Sequence, residues 1–157
     1  MVAPPRAGKS VYCKQWQSYT DYLRNINCEE RDELFAIANP RAVVSQDAIR
    51  YTLHGEIYRK EAEPMVFTIA DYMAKSLLIT GHDVLMDETS TSIDTVKRYI
   101  RLDREAKPIF LDYDVEVCKN RAITNAQEYL IPVIERCHKQ CIYLKDNWNE
   151  IYKQLTS

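Results

Sequence analysis

The sequence predicts an α/β fold in which a short parallel sheet is flanked by helices. Three observations carry the prediction. Apolar runs of about four residues alternate with longer segments of helical periodicity, the pattern of parallel strands joined by helical crossovers. The runs lead into polar signatures, as expected where ligands bind beyond the carboxyl ends of parallel strands. The N-terminal stretch Ala3-Pro4-Pro5-Arg6-Ala7-Gly8-Lys9-Ser10 is a turn-forming segment that runs straight into a helical pattern.

The elements follow in order. Only Met1 and Val2 precede the loop, so the first strand is nearly absent. Val11 to Asn25 places Tyr12, Trp16, Tyr19 and Leu23 at helical spacing. Glu29 to Ala38 reads as an acidic-faced helix that stops before Pro40. Ala42-Val43-Val44-Ser45 suits a buried parallel strand. Lys60 to Thr80 is helical, with Met65, Ile69, Met73, Leu77 and Leu78 on one face, Pro64 in its first turn and Gly81 as its cap. Val84-Leu85-Met86 is the next strand, Ile93 to Arg104 an arginine-rich helix, and Pro108-Ile109-Phe110-Leu111 a further strand closed by Asp112. Helices are expected from Val115 to Arg121, Glu128 to Lys139 and Asn147 to Leu155, with Cys141-Ile142-Tyr143-Leu144 as a last strand.

Length and composition narrow the function. A chain of 157 residues with 46% hydrophobic and 28% charged residues is expected to form one soluble domain with a real core. A net charge of −2 gives no global basic field, so any nucleic-acid contact needs a local basic cleft. Neither a signal peptide nor an apolar run of membrane-spanning length is evident, and no stable protein partner is predicted. The five cysteines are odd in number and irregularly spaced, which predicts a reducing, cytoplasmic setting. Cys137-His138 with Cys141 resembles half a zinc site. The i,i+4 spacing of the two cysteines fits one buried helical stripe better.

The loop carries the chemistry. It matches G-x-x-x-x-G-K-[ST] with alanine, Ala3, at the first glycine. In that motif a tight turn aims backbone N–H groups at a nucleotide's phosphates, and the helix dipole adds to them. Pro5, Arg6, Ala7, Gly8, Lys9, Ser10 and Val11 are therefore the candidate ATP-binding residues, Lys9 for the β- and γ-phosphates and Ser10 for Mg²⁺.

Three further segments join it. They are Ser45-Gln46-Asp47-Ala48-Ile49-Arg50, then Val84-Leu85-Met86-Asp87-Glu88-Thr89, then Leu111-Asp112 followed by Glu116-Val117-Cys118-Lys119-Asn120-Arg121. In this order they resemble the S-x-D-x-x-R element, the hydrophobic-D-x-T element and the start of the lid in polynucleotide kinase-like P-loop kinases. The resemblance runs from the loop to about Arg121. It implies a kinase-type P-loop NTPase fold, a three-layer sandwich, over residues 1–157 as a single domain with a small lid around 119–130. It also implies roles: Asp47 as general base, Arg50 gripping an acceptor phosphate, Asp87 and Thr89 lining the acceptor site, and Arg121 facing the donor phosphates.

Each residue also has a plainer reading. Asp47 could cap the helix at Ala48, and Arg50 could form a surface ion pair. Asp87 could be a strand-end turn residue and Arg121 a solvated helix charge. Lys97, Arg98, Arg101 and Arg104 could track a nucleic-acid backbone or form an exposed face balanced by Asp94, Asp103 and Glu105. The family's second lid arginine falls here in Ile123-Thr124-Asn125, which has no cation, so either the transition-state charge is less well covered or Lys119 or Arg6 substitutes. The third element reads D-E-T, which sets Glu88 beside the proposed site.

The expected activity is transfer of the γ-phosphate of ATP to a hydroxyl, with the 5′-hydroxyl of DNA or RNA favoured. A hydroxyl on a modified base, a nucleotide or another small molecule is the alternative within the kinase class. A nucleotide-binding module without transfer and an interaction protein with no nucleotide site are the readings outside it.

Overall fold

The computed structural model describes residues 1–25, 39–55, 58–89 and 91–156. The helix expected over Glu29 to Ala38 lies outside the described residues, as does Cys28. The chain divides into two compact units, Ser10–Glu88 and a second formed by Met1–Lys9 with Thr89–Ser157.

In the Ser10–Glu88 unit, β1 (Arg41–Ser45) and β2 (Asp83–Asp87) pair in parallel, in register from Arg41↔Asp83 to Ser45↔Asp87. These match two of the expected strands, those over 42–45 and 84–86, and the unit is mixed α/β with a parallel pair. The helix α1 (Lys9–Asn25) carries Trp16, whose ring lies 4.5 Å from the Arg41 guanidinium. Ser45 ends β1 and caps α2 (Gln46–His54), its hydroxyl accepting from the Ala48 N–H at 3.4 Å. The cap is therefore Ser45, not Asp47, and the Asp47 carboxylate remains available for other partners. A short turn, Lys60–Ala62, leads into α3 (Glu63–Ile79). This helix closes as expected at Gly81, which has φ +80°, with its N–H bonded to Leu78 O and the His82 N–H bonded to Leu77 O, both at 3.0 Å.

The buried face of α3 differs from the expected one by one residue. Val66, Ala70 and Ala74 are buried, while Met65 and Met73 are 60% and 40% exposed. The helix packs on both strands and on α2, and two alanines on the contact line allow its axis to approach. Ile69 and Leu77 fill the margins of that core, with Val44 and Ile49 beneath.

In the other unit, Val2 forms a parallel bridge to Phe110: its N–H bonds Ile109 O at 2.9 Å, and its carbonyl accepts from the Leu111 N–H at 3.4 Å. The strand expected over 108–111 is thus a single bridge. Pro4, Pro5 and Pro108 lack the N–H groups that would extend it. The helices are α4 (Ile93–Leu102), capped by Ser92, α5 (Val115–Thr124), capped by Asp114, and α6 (Ile131–Thr156).

The segment 141–144 is not a strand. It lies within α6, a continuous helix of 26 residues that also absorbs most of the helix expected to end at Lys139 and all of the one expected at 147–155. Its buried residues, Ile134, Cys137, Cys141, Leu144 and Ile151, recur at helical spacing, and neither glycine nor proline follows Pro132 to interrupt it. Cys141, Leu144 and Ile151 form the core with Val2, Val96 and Ile100. Cys137 and Cys141 are buried free thiols, and the His138 ring accepts or donates a 3.0 Å hydrogen bond with Tyr113 Oη. Burial pushes the Cys141 thiol and the Tyr113 hydroxyl above their ordinary pKa values. No helix among the described residues is long and apolar enough to cross a membrane.

Helix α5 also ends in a double-bonded cap, Ala126 N–H to Ile123 O at 2.9 Å and Gln127 N–H to Ala122 O at 2.8 Å. Here the left-handed residue is an alanine, Ala126, with φ +52°. A left-handed L-residue costs roughly 1–2 kcal/mol, and glycine returns part of that as unfolded-chain entropy. Ala126→Gly is expected to stabilise the protein by about 0.5–1 kcal/mol, read from the urea midpoint.

Candidate functional site

The loop is held from both sides. Ala3 is fully buried and does not have a positive φ, which explains why alanine serves where the motif has glycine. Arg6 and Gly8 supply the left-handed turns, with φ of 66° and 95°. A Cβ on Gly8 would meet nothing within 4 Å, so backbone conformation rather than space demands glycine there. Ala7 packs on Cys118, Ala122 and Ile134, which fastens the loop to α5 and α6.

The loop's polar groups face one another across a short span. The Lys9 ammonium folds back over the turn and donates to Pro4 O at 2.9 Å. Arg121 Nη1 donates to Arg6 O at 3.0 Å, so the predicted lid arginine does reach the loop. The Arg6 guanidinium donates to Gln127 Oε1 through both Nε, at 3.0 Å, and Nη2. Ser10 and Val11 lie exposed in the first turn of α1, which holds no acidic residue. The first N–H groups of any helix have no carbonyl one turn back, and they favour an anion. Burial raises the Cys118 thiol pKa, with the charges of Arg121 and Lys9 opposing it.

The S-x-D-x-x-R element builds a second cluster, in the Ser10–Glu88 unit. Arg50 forms a two-pronged ion pair with Glu63, Nε to Oε1 at 2.8 Å and Nη2 to Oε2 at 2.7 Å, and both side chains are 13% exposed. Nη1 donates to Asp47 Oδ1 at 2.7 Å, and Nη2 also donates to Gln46 Oε1 at 3.3 Å. Four of the five N–H groups of an arginine are therefore engaged. The hydrogen bonds to Glu63 are the main reason the Arg50 pKa lies above its ordinary value. Arg50 is thus more than a surface ion pair. Asp47, 74% exposed, presents its second oxygen to solvent.

Parallel pairing sets the end of β2 beside the end of β1. Glu88, expected to add charge beside the site, is instead buried and accepts a hydrogen bond from Gln46 Nε2. Asp87 is half-buried at the strand end and Thr89 is exposed. Gln46, Glu63 and Gln127 were not legible as functional candidates. Gln46 sits at an unspecified position of its motif, though its i,i+4 spacing to Arg50 places both on one helix face. Glu63 lies in a segment without a motif, and Gln127 falls within the expected lid at a position the resemblance does not mark.

Outside these clusters, Lys119 is bound at 2.9 Å by both Glu116 and Glu135, Glu135 being the larger cause of its raised pKa. Arg98 lies over the Tyr99 ring at 4.7 Å and donates to its hydroxyl, so this part of the basic helix is engaged locally. No protein-family model matches the chain, and no curated protein matches it at a significant level.

Proposed function

We propose that this protein is a P-loop kinase that transfers the γ-phosphate of ATP to a hydroxyl in a cytoplasmic setting. The observation that carries the reading is the loop itself. A left-handed turn ends at a helix start, Lys9 folds across it and Arg121 joins it from α5. Lys9, Arg121 and the N–H groups of the first turn would bind the phosphates and spread the charge of the migrating group. Ser10, whose exposed hydroxyl has no hydrogen-bond partner among the described residues, fits a Mg²⁺ ligand. When bound, that ion would neutralise charge on the donor phosphates.

On the acceptor side, Asp47 would orient the hydroxyl and take its proton as the oxygen attacks the γ-phosphorus. The bond from that phosphorus to the bridging oxygen breaks, and ADP departs with the electron pair. The fixed Arg50 holds Asp47 in place through its 2.7 Å contact. The motif order favours the 5′-hydroxyl of DNA or RNA as acceptor. A phosphate-free small-molecule acceptor is the second reading, favoured by the single N–H that Arg50 retains for an incoming anion.

Label transfer from γ-labelled ATP tests the reading. The panel holds 5′-hydroxyl DNA and RNA, 5′-phosphorylated controls, hydroxymethylated DNA and free nucleosides. Label confined to 5′-hydroxyl ends supports the first acceptor, and label on nucleosides supports the second. No Mg·ATP stabilisation in a thermal shift, where saturating ligand should give about 2.7 kcal/mol at 100 Kd, would overturn the nucleotide site.

A further inference from the structure

The loop holds a cation that its motif does not require, and the fold holds it in an unusual way. We propose that Arg6, positioned by Gln127, is the second phosphate-facing cation of this site and does the work of the absent second lid arginine. The inference rests on the kinase reading and chooses Arg6 over Lys119, with Gln127 as the residue that positions it.

Two observations converge. Among the described residues, only Arg6 and Ala126 are non-glycine residues with positive φ. Arg6 lies in the loop, and Ala126 immediately precedes the glutamine that binds the Arg6 guanidinium. Each conformation is unfavourable by itself, and such strain persists where the surroundings fix it. The αL turn at Ala126 brings the chain out of α5 at Gln127, whose N–H is tied back to Ala122 O at 2.8 Å. That bond fixes the backbone from which the Gln127 side chain reaches Arg6.

Charge bookkeeping gives the direction. Gln127 is neutral, and among the described residues neither Arg6 nor Arg121 has a carboxylate partner. After the bonds to Gln127, three of the five N–H groups of Arg6 remain for a ligand. Lys119, the other candidate, is held by two carboxylates. Arg50, in its own cluster, gives the contrast: its guanidinium is paired with two carboxylates, Asp47 and Glu63. Arg6 is fixed in geometry and left positive, which is what stabilising charge on a migrating phosphoryl group requires.

Three variants of the full chain test this, read by single-turnover label transfer and by the Kd values of Mg·ATP, Mg·ADP and Mg·ADP with aluminium fluoride. Arg6→Gly relieves the left-handed strain and removes the charge. It is expected to lose about 10²-fold in turnover and in aluminium-fluoride-dependent affinity, with a smaller loss of Mg·ADP affinity. Gln127→Glu keeps shape and hydrogen bonding but neutralises Arg6, so it is expected to raise the melting temperature and lower turnover about 10-fold or more. Arg6→Lys should recover part of the loss. If Arg6→Gly and Gln127→Glu turn over like the wild type, the contact is a structural latch and the proposal is overturned while the kinase reading stands. If the wild type binds neither nucleotide, the kinase reading fails and the role of Arg6 fails with it.

Discussion

Asp47→Asn is expected to lower phosphoryl transfer by about 10²–10⁴-fold and leave Mg·ATP affinity unchanged. The substitution keeps the shape of the side chain and its ability to accept one hydrogen bond from Arg50, now at 2.7 Å. It removes the basic oxygen that would receive the acceptor's proton. Because Ser45 already caps α2, the fold does not depend on Asp47 for its helix start. A thermal-denaturation midpoint within about 2 °C of the wild type would confirm that, since exposed i,i+3 pairs contribute only tenths of a kcal/mol. Lys9→Ala, assayed alongside, should do the reverse and abolish nucleotide binding itself. Retention of full transfer by Asp47→Asn would remove Asp47 from the chemistry.

Glu63→Ala should destabilise the protein by about 1.5–3 kcal/mol, the range for hydrogen bonds to a charged group, because both partners are part-buried. The arginine left behind is 13% exposed and would lose both charge-assisted bonds to Glu63. Asp47 and Gln46 would remain, but one bond each does not replace a two-pronged carboxylate. The double variant Arg50→Met with Glu63→Leu should recover most of the loss, because two apolar groups of similar volume leave no partly buried charge unpaired. Urea unfolding of the two single variants and the double variant measures the coupling. A loss under 1 kcal/mol for Glu63→Ala would show that the pair is solvated and contributes little.

Much of the architecture was legible because local chemistry and tertiary packing agree. Ser45 ends β1 and Gly81, with its positive φ, closes α3 as expected, and Val44 and Leu85 mark the parallel pair. Legibility failed where one pattern allows two outcomes. Cys141-Ile142-Tyr143-Leu144 is a short apolar run that suits a strand, and only its continuity with Ile134 and Ile151 on one face makes it helix. On α3 the largest apolar residues suggested the core, whereas the sheet accepts the smaller Ala70 and Ala74. At the candidate site, Lys9, Arg121, Asp47 and Arg50 were readable from motifs. Their partners were not, because Glu63 and Gln127 acquire meaning only from the long-range contacts to Arg50 and Arg6.

The contact between Arg6 and Gln127 spans 121 positions of sequence. The Ser10–Glu88 unit is contiguous, whereas the other unit is assembled from the two ends of the chain. During synthesis the first nine residues therefore emerge long before their partners, and the contiguous unit has all of its own chain in hand first. Closing the long loop carries an entropic term of about 4 kcal/mol that only the late-arriving contacts at Phe110, Cys118 and Gln127 can offset. Residues 1–9 therefore lack these long-range partners until the chain has been made at least as far as Gln127. The order around Arg6 and Lys9 thus depends on contacts made after the contiguous unit has its whole chain.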